Sequence, residues 1–433
     1  MAKAPYSSTA HRPCLMNILV LNVGSTSLKG RLYELAAPLP SDPVEPLWDL
    51  QADWASRDGP AGIRIRTKSG ALLDREVPIN RLREEFVPAI ETLWSGETRV
   101  IEDRSRIDAV GHRVVHGGEK LRESTLVTPE VAEEIDRLRV FAPEHNPIEW
   151  SVIEAMEWIL GRAVPQVAVF DTAFHSTLPP EAYVYGGPHE WLDKGIRRYG
   201  FHGISHQYVS RRAAQLLGKD LKTLRLVTCH LGGGCSLAAV SRGQSVDTTM
   251  GFTPLDGLIM NTRSGAVDPG ILIHLVKNCH YTGEQLDQVL NRESGLKGIS
   301  GVSADMRQVL AASAQGNSRA RLAFDAFVHR LRALVGSMIA SLRGLDALVF
   351  TAGIGENSSA VRAAVCSGWE FLGLKLDPEK NADTPTDVDV AANESAVRVL
   401  VIHTQEDWEI AVECFRLTKS RFPARLGLEE VDQ

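Results

Sequence analysis

Excess basic charge, paired cysteines and long apolar runs are all missing from this sequence, and each absence removes a class of protein. Across 433 residues, 47 Lys and Arg stand against 54 Asp and Glu, a formal net charge of −7. That balance leaves no basic stripe, so no nucleic-acid partner is expected. A few local Arg and Lys still suffice for a small anion. The six cysteines (Cys14, Cys229, Cys235, Cys279, Cys366 and Cys414) show no C-x-x-C spacing, which argues against a disulfide framework or a zinc site. No apolar run approaches the roughly 18 residues of a membrane span, and the N-terminus lacks the apolar core of a secretory signal. No membrane partner is expected, and the chain reads as cytoplasmic. G-x-x-x-x-G-K-[ST] is absent, so a P-loop is excluded, and no G-x-G-x-x-G opens a helix after a strand.

What is present is a patterned α/β sequence, 44% apolar and 23% charged, long enough for two domains. Ile18 to Val23 is a buried-strand pattern that breaks at Gly24 to Ser27 and resumes from Leu28, a hairpin with a small, hydroxyl-rich turn. The arrangement returns later: Leu224 to Leu231, then Gly232-Gly233-Gly234, then a strand from Cys235 and a second turn at Arg242-Gly243. Arg106 to Glu119 and Leu345 to Ser358 are in turn both strands running into glycine-rich turns. This repetition of pattern, without residue identity, predicts two similar α/β domains facing each other. Helix starts are predicted at Thr128-Pro129, at a capping-box-like Asn146-Pro147-Ile148-Glu149 closed by Gly161, and at Ser205. Ser318 to Arg343 carries a long apolar stripe that reads as core.

Two glycine turns of this kind suit a polyphosphate, because small residues let backbone N–H groups approach phosphate oxygens. Asn22, Ser25, Thr26, Ser27 and Lys29 form one candidate cradle; His230 with Gly232, Gly233 and Gly234 forms the other. Ordinary β-turns carry the same local signal. Gly353-Ile354-Gly355-Glu356-Asn357-Ser358 is a third site, read as a turn on which a flat base and ribose can pack. His112, His116, His145, His175, His202, His206 and His230 read as donors around phosphate and carboxylate oxygens. The H-x-x-x-H spacing of His202 and His206 is not read as a zinc pair, because a helix starting at Ser205 leaves His202 on the loop. Asp171 and Glu406 each follow an apolar strand, where a carboxylate suits Mg²⁺ or a helix cap.

In order along nearly the whole chain, ten motifs resemble those of the acetate kinase family. They are N-V-G-S-T-S-L-K, G-H-R-V-V-H-G-G-E, F-A-P-E-H-N-P, F-D-T-A-F-H, R-R-Y-G-F-H-G-I-S-H, C-H-L-G-G-G-C-S, N-T-R-S-G-A-V-D-P-G, G-V-S-A-D-M-R, F-T-A-G-I-G-E-N-S and T-Q-E-D. The resemblance implies two ribonuclease-H-like domains across a cleft, the fold shared with sugar kinases, heat-shock chaperone ATPases and actin. It divides the chain into an N-terminal extension (1–16), a first domain (17–171 with 407–433) and a second (172–406) holding the nucleotide site and a homodimer surface. The implied reaction is reversible in-line transfer from ATP to a carboxylate oxygen, giving an acyl phosphate and ADP. Arg113 and Arg263 would then flank the transferring group, and His202, with Asn22, would stabilise its equatorial oxygens. Asp171 would orient the acceptor, His145 and His230 would complete the polar wall, and Glu406 with Asn22 would hold Mg²⁺, with Mn²⁺ as a substitute. Asp305, Met306, Arg307 and Gly353, Ile354, Gly355, Glu356 and Asn357 would contact the base and ribose. A carboxylate acceptor is already an anion, so no general base is needed.

The chain departs from the family pattern where the acid would sit. Val115, Phe201 and Pro254 match the pocket, but Glu144 stands where Leu is usual. Gly233 replaces a frequent Asn and Asn261 a Gly. Either Glu144 turns to solvent, leaving a larger pocket, or it pairs with a polar group on a different acid, since an unpaired buried carboxylate is costly. Acetate is the expected acceptor and propionate the next. A non-catalytic ATP-driven protein and a sugar kinase are the competing readings; neither needs two arginines aimed at a carboxylate.

Overall fold

The computed structural model describes residues 15–24, 27–53, 61–77, 82–142, 145–382 and 386–422. The predicted N-terminal extension lies largely outside them, as do Ser25, Thr26 and Glu144. The chain forms two compact units: Met1–Val114, Ser124–Val169 and Asp407–Gln433 make one, and Val115–Glu123 with Phe170–Glu406 make the other. The short segment Val115–Glu123, assigned from sequence to the first domain, packs with the second.

The first sheet runs through β1 (Met16–Val23), β2 (Ser27–Leu35), β3 (Trp48–Asp53), β4 (Ala61–Thr67), β5 (Leu72–Val77), β6 (Ala109–Val114), β7 (Thr125–Leu126) and β8 (Gln166–Phe170), in the order β5-β4-β3-β2-β1-β6-β8-β7. Strand β1 is aliphatic on both faces because it is central: β2 pairs antiparallel on one side and β6 parallel on the other. Leu19 and Leu21 of β1 share one buried core with Leu32, Trp48 and Ile65, each side chain of this kind worth about 1.5–3 kcal/mol. Trp48 keeps its indole N–H satisfied on Thr92 Oγ1 at 3.1 Å. Gly111 lets the helix Glu406–Thr418 approach β6, since a Cβ there would lie 2.8 Å from Ile410.

The second sheet contains β9 (Arg225–Leu231), β10 (Cys235–Ser241), β11 (Gln244–Thr248), β12 (Ala347–Thr351), β13 (Val388–Asp389) and β14 (Arg398–Val401), ordered β11-β10-β9-β12-β14-β13. In both sheets a strand is followed by two antiparallel neighbours on one side, and a later strand joins it in parallel on the other. This is the duplicated α/β arrangement that the repeated hairpins predict and the ribonuclease-H-like order that the family resemblance implies. The helix Ser318–Leu342 covers β10 with its Ala323, Phe327, Leu331, Val335 and Met338 stripe, and Arg343 ends it in the left-handed region.

Three local expectations differ from the structure. The helix Asn146–Leu160 has no capping box: its N-cap is His145, whose side chain makes no capping bond, and Asn146 is buried and turned towards Ile135 O. Ser205 is not a cap but an interior residue of the helix Gly203–Leu217, whose N-cap is His202 at φ 58°. The Gly353 to Asn357 segment is a short helix, Ala352–Asn357, rather than a turn. Ala352 takes φ 64° and its N–H donates to Glu356 Oε1 at 2.7 Å, so the carboxylate closes the helix start.

Candidate active site

Strand alternation sets the floor of the candidate site in the second unit. Thr228 and His230 share one face of β9, and the register pairs His230 with Ser236 and Thr228 with Ala238 across the hairpin. The helix Gly203–Leu217 packs on β9 and brings His202, Ser205 and His206 to that face. His202 and His230 stack with ring centroids 4.1 Å apart and planes 18° from parallel. Each ring is held through Nδ1 by a serine: Ser236 Oγ lies 2.9 Å from His202 and Ser205 Oγ 2.8 Å from His230. Ser205 Oγ is also 2.9 Å from Thr404 Oγ1, which ties the ring to the segment before Glu406.

Both rings direct their Nε2 edges to the glycine turn. A Cβ on Gly232 would sit 3.7 Å from His230 Nε2, and one on Gly234 would sit 3.2 Å from His202 Nε2 and 3.5 Å from Arg263 Nη1. Thus two imidazoles, one guanidinium and the Gly232–Gly234 backbone surround a space that any side chain at 234 would crowd. Arg263 reaches there from a loop whose Pro254 carbonyl accepts from Nη1 at 3.5 Å. Asn261 abuts the turn: its backbone N–H donates to Gly233 O at 3.4 Å, and the favoured amide orientation donates to Gly232 O at 3.3 Å. Gly203 N donates to Asp171 O at 2.8 Å, so the buried Asp171 and the N-terminus carrying His202 are fixed to each other.

Five of the seven histidines read as phosphate donors are buried; His230 among them keeps its Nε2 edge on the glycine turn, and the other four are interior. His112, His116 and His175 are buried, and loss of hydration pushes each down to about 4. His206 is pushed well below its ordinary value by burial, then by His175 and His230. His112 Nε2 meets Gln166 at 2.7 Å; His175 donates from Nε2 to Phe201 O at 3.1 Å and so accepts at Nδ1 from Ser245. His206 spans Thr228 Oγ1 and Ser236 Oγ, each at 2.7 Å. Ser205, Ser236, Thr228 and Thr404 orient the ring pair, a role that the sequence did not assign to any of them: Ser205 read only as a helix cap, and Ser236 and Thr404 only as members of motifs.

The other predicted residues fall as follows. Val115 and Phe201 are buried, His116 lies edge-on to Phe201 and Tyr199, and Pro254 is half-buried with its carbonyl accepting from Arg263. In the first unit, the β1–β2 register sets Asn22 opposite Lys29, and Gly24 N donates to Ser27 O at 2.7 Å to close the turn. Asn22 Nδ2 donates to Asp407 Oδ1 at 3.1 Å, and Asp407 Oδ2 pairs with Arg31 at 3.1 Å. Arg113 is half-buried on β6, and His145 is half-buried at the start of its helix. Asp305 caps the helix Met306–Ala314 and is gripped by the fork of exposed Arg307, while Met306 is in the core. Gly353 and Asn357 are exposed, whereas Glu356 turns inward. Burial pushes the Glu356 carboxyl up, but His403 at 2.6 Å and the Thr404 and Ala352 N–H groups outweigh it and hold the carboxyl below its ordinary value. Ile354 and Gly355 are buried with it. Among the described residues no three His, Cys, Asp or Glu side chains form a metal-binding group. No helix there is long and apolar enough to cross a membrane.

The chain is thus an α/β protein of two duplicated sheets that carries, in its second unit, a glycine turn ringed by His and Arg, a donor set suited to phosphoryl oxygens. A model of the acetokinase family matches residues 17–412. The acetate kinase of Gloeobacter violaceus is 59% identical over 402 residues, 93% of this chain and 99% of the relative. The crystal structure of Porphyromonas gingivalis acetate kinase superposes with a TM-score of 0.83 at 37% identity, covering 93% of this chain and 99% of that one. A propionate kinase from Francisella tularensis superposes at 0.80 and 36%, covering 93% and 100%. The chain belongs to the acetokinase family.

Proposed function

We propose that this chain transfers the γ-phosphoryl group of ATP reversibly to a short carboxylate, acetate first and propionate next, giving an acyl phosphate and ADP. The observation that carries the reading is the convergence of His202 Nε2, His230 Nε2 and Arg263 Nη1 on the Gly232–Gly234 turn. Phosphoryl transfer has a loose transition state with charge spread over equatorial oxygens, so it calls for positioned donors rather than a nucleophile–base pair. A guanidinium supplies two parallel donors to such a group, as an ammonium cannot. Arg113 is assigned the same work from β6, Asp171 orients the acceptor, and His145 adds a donor at a helix start, where anions are favoured. Val115, Phe201 and Pro254 suit a short alkyl chain. Relatives named acetate kinase and a neighbour named propionate kinase support both acids.

Mg²⁺ is the expected cation, neutralising phosphate charge when bound. The oxygen donors fit a hard ion: Asn22 donates its amide N–H to Asp407, which turns its carbonyl oxygen away from that pair, and Glu406 opens a helix with its carboxylate half-exposed. A homodimer is supported by the helix Pro269–Cys279, which buries no residue and presents Ile271, Ile273 and Val276 at 50%, 55% and 46% exposure. The absence of a membrane-spanning pattern in the sequence supports a cytoplasmic setting.

The test is to trap acyl phosphate as hydroxamate with ATP, Mg²⁺ and a panel of short acids. Product with acetate or propionate is expected. Absence of product with every acid, alongside intact ATP binding, would favour the ATP-driven, non-catalytic reading. A shift of preference towards acetate in Glu144→Leu would place that side chain at the acid.

A further inference from the structure

Behind His202 runs a closed chain of hydrogen bonds that reaches no substrate. Thr228 Oγ1 is 2.7 Å from His206 Nδ1, His206 Nε2 is 2.7 Å from Ser236 Oγ, and Ser236 Oγ is 2.9 Å from His202 Nδ1. We propose that Thr228, His206 and Ser236 are positioning residues that fix the proton of neutral His202 on Nε2, the edge facing the glycine turn.

The assignment follows from counting protons. Each hydroxyl has one hydrogen, and buried His206 is neutral with one N–H. Two arrangements satisfy every link and also place the Ser236 hydrogen; a third, in which Ser236 accepts from both rings, leaves the hydrogen of this fully buried hydroxyl without an acceptor among the described residues. In the first, Thr228 donates to His206 Nδ1, His206 Nε2–H donates to Ser236, and Ser236 donates to His202 Nδ1. His202 then carries its proton on Nε2 and donates outward. In the second every link reverses, and the Thr228 hydrogen must go to Ala238 O, which is 3.4 Å away. The Thr228 hydrogen therefore belongs in the 2.7 Å link, because hydrogen bonds weaken steeply with distance. A ring with its lone pair outward would repel a phosphoryl oxygen, whereas an outward N–H donates without a full charge. The bond made by one imidazole nitrogen decides the chemistry of the other. Around His202, the ionisable neighbours include His206 on its own helix, which shares Ser236 with it, His230 on β9, Arg263 on its loop, and Asp171, whose carbonyl holds the adjoining Gly203.

The tautomer can be read without turnover, while its effect on rate rests on the carboxylate-kinase reading, so the two fail separately. Nitrogen NMR of the histidine-labelled full chain, with His202→Gln to assign the signal, is expected to show a single neutral tautomer protonated at Nε2. Ser236→Ala should give a mixture of tautomers and a kcat lowered about tenfold or more, with KM for ATP and acid within about twofold. Its kcat relative to wild type should recover as pH falls, because the imidazolium donates from Nε2 whatever its neighbour. Ser236→Thr, which keeps the hydroxyl, should restore the single tautomer. A wild-type ring protonated at Nδ1 would overturn the proposal whatever the variants do. So would a Ser236→Ala protein with an unaltered tautomer.

Discussion

Replacing Gly203 by Ala adds one methyl group at the join between Asp171 and His202, and the structure predicts a disproportionate effect. A Cβ at 203 would lie 2.2 Å from Asp171 O and 3.1 Å from Phe174 Cβ. Real Cβ contacts below 3.0 Å are essentially never seen, so the carbonyl must retreat by about 0.8 Å. That oxygen also accepts the Gly203 N–H at 2.8 Å, a bond that the retreat weakens or breaks. Overpacking costs about 1–3 kcal/mol and the bond about 1 kcal/mol. Alanine's better helix propensity returns up to about 1 kcal/mol. The net expectation is a loss of about 1–3 kcal/mol, read as a lower urea midpoint at constant m-value. Because the displaced groups include Asp171 and the backbone bearing His202, kcat should fall about 100-fold, the usual effect of a shift of about 1 Å in a positioned group. Gly283→Ala is the control: it opens the helix Gly283–Gln288 with nothing within 4 Å of the new methyl, and should stabilise slightly. Unchanged stability and full turnover in Gly203→Ala would refute the close-packing argument.

Arg263→Ala should lower kcat by about 10²–10³ and Arg263→Lys should recover only part of it, since an ammonium lacks the fork; steady-state kinetics with saturating ATP reads both. Gly233→Asn and Asn261→Gly should each impair turnover more than the double variant does, because position 261 stands 3.9 Å from a Cβ at 233; additive losses would separate the two positions. The buried His112, His116 and His175, held near 4, imply a definite pH dependence. In the unfolded chain each takes up a proton near 6.5, so between about 6.5 and 4 the unfolded state binds more protons. Stability is therefore full above about pH 6.5 and falls as pH drops, by on the order of 1 kcal/mol per pH unit for each ring. Urea midpoints that stay flat from pH 7 to 5 would contradict it.

Much of the fold is legible in the sequence because strand and turn patterns are local. The Ile18 to Val23 run, the hairpin re-entry after Gly24, the glycine turn after Leu231 and the later strand at Ala347 all appear where apolar runs meet small residues. Less legible were starts and ends that depend on distant partners. Ser205 reads as a cap until Thr404, 199 residues away, takes its hydroxyl. Glu356 reads as a nucleotide contact until His403 and Thr404 arrive to hold it inside.

Residue types and their order by themselves determined the α/β class, the duplicated hairpins and a chemistry of arginine, histidine and glycine without a nucleophile. Tertiary structure alone decided which histidines face outward. Along the chain His202 and His206 look alike, four residues apart. Packing against β9 stacks His202 on His230 at the glycine turn and buries His206 behind Ser236. The difference lies in burial and partners, quantities a linear pattern does not contain, because they are set by which strand the helix lands on.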